Sequence, residues 1–85
     1  MKIIIYTTHY CPYCVHAKQL LERKNLSYDE INVEDNDALR QEMMDKSQRR
    51  TVPQIFINER YIGGYDDLKA LDDTGELDKI IHAAQ

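Results

Sequence analysis

Two cysteines occur in this 85-residue chain, and only two residues separate them, in Cys11-Pro12-Tyr13-Cys14. A bond between them would close a tiny loop and add little stability by the chain-entropy argument. With no other cysteine to pair with, their use is chemical rather than structural. Such a dithiol can cycle with a disulfide: a thiolate attacks a disulfide sulfur and the neighbouring thiol displaces the product. A disulfide-stapled secreted domain would carry more cysteines, spread along the chain. The same spacing also serves zinc sites, and His9 and His16 place two imidazoles beside the thiols. His16 argues against that alternative, because side chains at i and i+2 of a helix do not face each other. Buried packing is the weakest reading, since a proline-bearing pair at a strand-to-helix turn is a poor place for core filler.

The dithiol needs an element on each side to position it. Lys2 to Thr7 is β-branched and aromatic and predicts a buried strand. Pro12 suits the first turn of a helix, where its missing N–H costs nothing. Cys14, Ala17 and Leu21 recur at helical spacing with Leu20 beside them, which predicts about three turns ending near Asn25. Cys11 therefore falls where unpaired N–H groups and the positive end of the helix dipole favour a thiolate. Its pKa is expected below the free value of roughly 8.5. Cys14, one turn further in, should be more buried and less acidic. Those environments assign Cys11 as nucleophile and Cys14 as resolving thiol.

Further along, Ser27 to Val33 alternates through Tyr28, Ile31 and Val33, a second strand. Asp35 or Asp37 is expected to cap a helix whose inner face includes Leu39 and Met43. Lys46 to Arg50 is polar and basic and reads as a loop. Gln54 to Ile57 and Arg60 to Ile62 form a hairpin across Asn58-Glu59. Gly63-Gly64 breaks the strand, Asp66-Asp67 opens a helix carrying Leu68 and Leu71 inward, and Gly75 ends it. Leu77, Ile80, Ile81 and Ala84 make a short amphipathic closing helix. The order β-α-β-α-β-β-α-α, with a right-handed βαβ crossover and then a hairpin, predicts an α/β fold. It is a single domain over 1–85, with a four-stranded mixed sheet and helices on both faces.

Composition narrows the function classes. A formal net charge of −4 and one adjacent basic pair, Arg49-Arg50, argue against nucleic-acid binding. No apolar run approaches the roughly 20 residues of a membrane span. The Met1–Tyr6 start is too short for a signal-peptide core, so a cytoplasmic location and no membrane partner are expected. His82 is expected to be exposed in the last helix.

Thr51-Val52-Pro53 carries a second signal. The residue before proline is held extended, and X-Pro is the one common setting for a cis bond. A cis bond here would turn the Val52 N–H and C=O outward, where an extended peptide can pair with them. A proline that merely begins a strand is the equal alternative.

Together, Cys-Pro-Tyr-Cys, Thr-Val-Pro and Gly-Gly-Tyr-Asp-Asp, at Cys11, Thr51 and Gly63, make the chain resemble a bacterial dithiol glutaredoxin along nearly its whole length. The resemblance implies a thioredoxin fold, a cis Pro53 and a glutathione groove, with glutathione as co-substrate and no tightly bound cofactor. It implies that Tyr13 borders glutathione, that Val52, between Thr51 and Pro53, pairs with its cysteinyl part, and that Gly64, Tyr65 and Asp66 hold its γ-glutamyl end. Independently of family, a helix N-terminus offers N–H donors to a carboxylate, and the Asp66 carboxylate suits an ammonium group. Thr8 stands where the family often has a lysine; Arg40, with Arg49 as a further candidate, is expected to supply that charge. Tyr65 replaces a cysteine found in some relatives. The implied partners are glutathione and disulfide-bonded or glutathionylated proteins, of which ribonucleotide reductase is one the family can serve. A monomer is expected. A thioredoxin-like protein reduced by a flavoenzyme is the redox alternative.

Overall fold

The computed structural model describes residues 1–85. Its elements are β1 (Ile3–Thr7), α1 (Pro12–Arg23), β2 (Asp29–Asn32), α2 (Asp37–Ser47), β3 (Gln54–Ile57), β4 (Arg60–Gly63), α3 (Tyr65–Thr74) and α4 (Glu76–Ala84). The strands form one mixed sheet in the order β2-β1-β3-β4. β1 runs parallel to β2 and antiparallel to β3, and β3 antiparallel to β4. Parallel pairing of β1 and β2 requires a crossover, which α1 supplies. This is the thioredoxin-type α/β architecture.

Strand alternation divides the core between the two faces. Ile3, Ile5, Ile55 and Ile57 point to one side and pack with Ala17, Leu20 and Leu21 of α1, Leu68 of α3 and Leu77, Ile80 and Ile81 of α4. Tyr6 and Phe56 point to the other, where they meet Met43 of α2 and Val33, which follows β2. The Tyr6 hydroxyl donates to Glu42 Oε2 at 2.7 Å, tying α2 to the central strand. Burial and then the Glu42 carboxylate push the Tyr6 pKa from 10.0 up to about 12. No helix is long and apolar enough to cross a membrane.

Asn58 and Glu59 have φ of 48° and 69°, the left-handed pair of a type I′ hairpin, whose twist matches its strands. Pairing of β3 with β4 shifts register between Ile55 and Phe56, so Ile62 is an extra, bulged residue. Bulges re-aim the chain at functional edges, and here it turns through Gly63 and Gly64 into α3.

α1 ends as expected, with Arg23 last and Asn25, at φ 58°, taking the left-handed place just past the end. Other element ends differ from expectation. β2 is shorter than Ser27 to Val33, although the Val33 N–H still bonds the Thr7 carbonyl at 2.9 Å. Neither Asp35 nor Asp37 caps α2: Asn36 does, its Oδ1 accepting the Leu39 N–H at 3.0 Å. The cap must be the extended residue three before its donor, which proximity along the chain alone does not select. α2 also runs on into the expected loop. Its last turn is completed by Ser47, whose hydroxyl donates to the Met43 carbonyl at 2.7 Å, before Gln48 turns left-handed at φ 61°.

Candidate active site

Cys11 is the N-cap of α1, with extended backbone at φ −133° and ψ 97°. The Cys14 N–H donates to Cys11 Sγ at 3.1 Å. In this structure the two sulfurs are joined as a disulfide. When that bond is open, the same N–H and the helix dipole act on a Cys11 thiolate and stabilise it. Cys14 is 1% exposed, whereas Cys11 is only half-buried. The two sulfurs thus differ in access to solvent, the asymmetry that nucleophile and resolver roles require.

Under this turn, the strand and helix that carry it are bolted together. The buried Thr7 hydroxyl donates to Glu30 Oε2 at 2.7 Å, and Lys18 Nζ of α1 reaches the same carboxylate at 3.1 Å. The Thr7 hydrogen bond first, and then Lys18, hold the Glu30 pKa below its ordinary value. β1, β2 and α1 thus share one polar junction directly behind the dithiol loop.

The second wall comes from 41 residues away. Val52-Pro53 is a cis peptide, and the Val52 carbonyl oxygen lies 3.8 Å from Cys11 Sγ. Val52 precedes β3, whose paired residues begin at Gln54, and its N–H and C=O enter no backbone hydrogen bond. They remain open to an extended ligand.

Beside the dithiol runs a groove of about 290 Å³, with Thr51, Val52, Pro53 and Gln54 on one flank and Gly64, Tyr65, Asp66 and Asp67 at the α3 N-terminus. Tyr13 and Arg49 complete its lining. The structure therefore gathers Tyr13, Thr51, Val52, Pro53, Gly64, Tyr65 and Asp66 into one concavity. Arg40 is not among its lining; it stands half-buried in the first turn of α2, while Arg49, after that helix, reaches the groove. Arg49 Nη1 lies 3.5 Å from Asp67 Oδ2, and its guanidinium sits 5.9 Å from the Tyr61 ring. Asp67 Oδ2 also accepts the Gly64 N–H at 3.0 Å, capping α3. That leaves Asp66, exposed beside it, free for a ligand.

Gln54 and Asp67 also belong to the lining, beyond the binding residues that the sequence motifs imply. Gln54 fixes the wall: its Nε2 donates to the Thr51 carbonyl at 2.9 Å, and its Oε1 accepts from the Tyr61 hydroxyl at 2.6 Å. A polar residue opening an otherwise apolar strand, Gln54-Ile55-Phe56-Ile57, was the available signal. The histidines do not converge on the sulfurs. His9 Nδ1 is 3.2 Å from Asn32 Nδ2 and its Nε2 is 3.6 Å from Asp35, whereas His16 packs on Tyr13 and Tyr65. No three His, Cys, Asp or Glu side chains are grouped so as to hold a metal ion.

Comparison with known proteins points the same way. A protein-family model described as Glutaredoxin matches residues 3–62. Glutaredoxin 3 of Escherichia coli (strain K12) is 52% identical over 77 residues, 91% of this chain and 93% of that protein. The solution structure of glutaredoxin from Brucella melitensis superposes with a TM-score of 0.84 at 49% identity, covering 94% of this chain and 87% of that one. The crystal structure of a buckwheat glutaredoxin–glutathione complex gives a TM-score of 0.88 at 26% identity, covering 96% of this chain and 77% of that one.

Proposed function

The chain belongs to the glutaredoxin family, and on that premise we propose that residues 1–85 work as one domain in which Cys11 attacks, Cys14 resolves and the adjoining groove seats glutathione. The activity is that of a glutathione-dependent thiol–disulfide oxidoreductase. What carries the assignment of roles is the capping geometry, with the half-buried Cys11 sulfur receiving the Cys14 N–H at the helix start and facing Val52 across the groove.

With a glutathionylated protein, the Cys11 thiolate attacks the glutathione sulfur. A Cys11–glutathione disulfide forms, the protein–glutathione bond breaks, and the protein thiolate leaves and takes up a proton. A second glutathione thiolate then attacks the bound glutathione sulfur, forming glutathione disulfide and returning Cys11 as thiolate. With a protein disulfide, Cys11 forms a mixed disulfide and one protein thiolate departs. Cys14 then loses its proton and attacks the Cys11 sulfur, releasing the second protein thiol and closing the Cys11–Cys14 bond. Two glutathiones reopen that bond and leave as glutathione disulfide.

In the groove, the open Val52 backbone pairs with the cysteinyl part of glutathione while Tyr13 flanks its sulfur. N–H groups at the α3 start, at Tyr65 and Asp66 after Gly64, receive the γ-glutamyl carboxylate, and the Asp66 carboxylate receives the ammonium. Arg49, rather than Arg40, supplies the positive charge that Thr8 lacks, because Arg49 lines the groove. The protein partners are glutathionylated or disulfide-bonded proteins, ribonucleotide reductase being one candidate. The working compartment is the cytoplasm, whose reducing pool regenerates such a dithiol.

The test is NADPH consumption with glutathione reductase, glutathione and a glutathionylated small thiol, run beside thioredoxin reductase alone. Turnover that requires glutathione and disappears in Cys11→Ser is expected. Turnover with thioredoxin reductase alone would assign the dithiol to the thioredoxin type instead.

A further inference from the structure

Tyr13 and Tyr65 both line the groove, and their rings stack with centroids 6.3 Å apart and planes 29° apart. Tyr13 is 60% exposed, and an exposed side chain changes rotamer within nanoseconds unless something packs on it. Tyr65 is one such neighbour, and His16, itself exposed on α1, is the other. It lies three residues beyond Tyr13 on α1, the spacing that brings helical side chains together. Its ring meets Tyr13 edge-on at 6.4 Å and 64°, and Tyr65 at 5.6 Å and 38°. Three rings from α1 and the α3 start thus close a triangle in which every ring touches the other two. Such arrangements are favourable beyond simple area burial. His16 itself does not line the groove.

We propose that His16 is a positioning residue for the reaction, holding the Tyr13 and Tyr65 rings as a preformed wall for substrates that carry a glutathionyl group. The proposal rests on the reading of the groove as the glutathione site. A ligand that enters a wall already in place does not have to order the exposed Tyr13 ring, so the benefit falls on binding rather than on the sulfur exchange itself.

The experiment compares the full chain with His16→Ala, His16→Phe and Asp66→Ala, using a glutathionylated small thiol as substrate and thermal unfolding as a check on the fold. For His16→Ala the expected result is a KM about fivefold higher, equivalent to ~1 kcal/mol, with kcat and the melting midpoint little changed. His16→Phe, which keeps a ring there, should restore most of the lost affinity. An unchanged KM in His16→Ala beside a raised KM in Asp66→Ala would overturn the positioning role alone. No change in either variant would overturn the groove reading beneath it. Loss in His16→Ala without recovery in His16→Phe would show that ring packing is not what His16 contributes.

Discussion

Replacing Gly63 by alanine tests how the α3 end of the groove is built. Gly63 has φ of 124°, a backbone conformation that L side chains rarely adopt. A β-carbon there would fall 2.6 Å from Asp67 Cγ and 2.8 Å from Asp67 Cβ, and closer still to its Oδ2. The carboxylate could swing aside, but the Asp67 β-carbon moves only if the first turn of α3 moves. Once displaced, Asp67 no longer caps the Gly64 N–H or faces Arg49. Backbone strain of about 1–3 kcal/mol and a lost cap of about 0.5–2 kcal/mol together predict destabilisation by about 1.5–5 kcal/mol. In a domain this small that lowers the melting midpoint by roughly 8–28 °C. Gly75→Ala is the control: φ is 82°, but nothing lies within 4 Å of the added carbon, so only the left-handed cost of about 1–2 kcal/mol remains. Urea denaturation of both variants, with kcat/KM for a glutathionylated substrate, reads the outcome. Gly63→Ala unfolding at the same urea midpoint as Gly75→Ala would refute the argument from Asp67.

The two cysteines should separate cleanly: Cys11→Ser loses both deglutathionylation and protein-disulfide reduction, whereas Cys14→Ser keeps the first and loses the second. Equal loss of both in Cys14→Ser, measured with each substrate in turn, would contradict the resolver role. Asp66→Ala should lower kcat/KM for a glutathionylated substrate through loss of a charge-assisted contact of at most roughly 1.5–3 kcal/mol, and the lower end is expected for so exposed a side chain. Tyr6→Phe removes the hydroxyl bonded to Glu42, at a cost of about 1 kcal/mol near neutral pH. Because the folded-state Tyr6 pKa is raised from 10.0 to about 12, its contribution is complete below pH 10 and is lost as pH rises towards 12. Urea midpoints measured from pH 8 upward should therefore fall less steeply in Tyr6→Phe than in the parent chain.

Much of this protein was legible in the residues themselves, wherever the deciding physics is local. A proline after Cys11 and apolar positions at helical spacing place the dithiol at a helix start. Asn58-Glu59 between two apolar runs marks a hairpin, and Gly75 marks a helix end. Each of these depends on neighbours within about four positions. The flanking motifs, Thr51-Val52-Pro53 and Gly63-Gly64-Tyr65-Asp66-Asp67, were visible too, although the dipeptide alone left the Val52-Pro53 isomer open.

What the sequence left undecided are choices between near-equivalent neighbours and contacts across long separations. Asn36 rather than Asp35 or Asp37 caps α2 because only Asn36 has the extended backbone three residues before Leu39. Arg49 rather than Arg40 reaches the groove because α2 continues to Ser47 and Gln48 then turns left-handed, delivering the following residues to the Thr51 side. The meeting of Cys11 with Val52, and of Tyr13 and His16 with Tyr65, has no local cause. Those residues approach one another only because β3 pairs antiparallel with β1 and α3 packs against α1. Residue spacing thus determined which chemistry the chain carries, whereas sheet pairing decided which side chains surround it, because a groove made from three separate segments exists only once those segments are packed together.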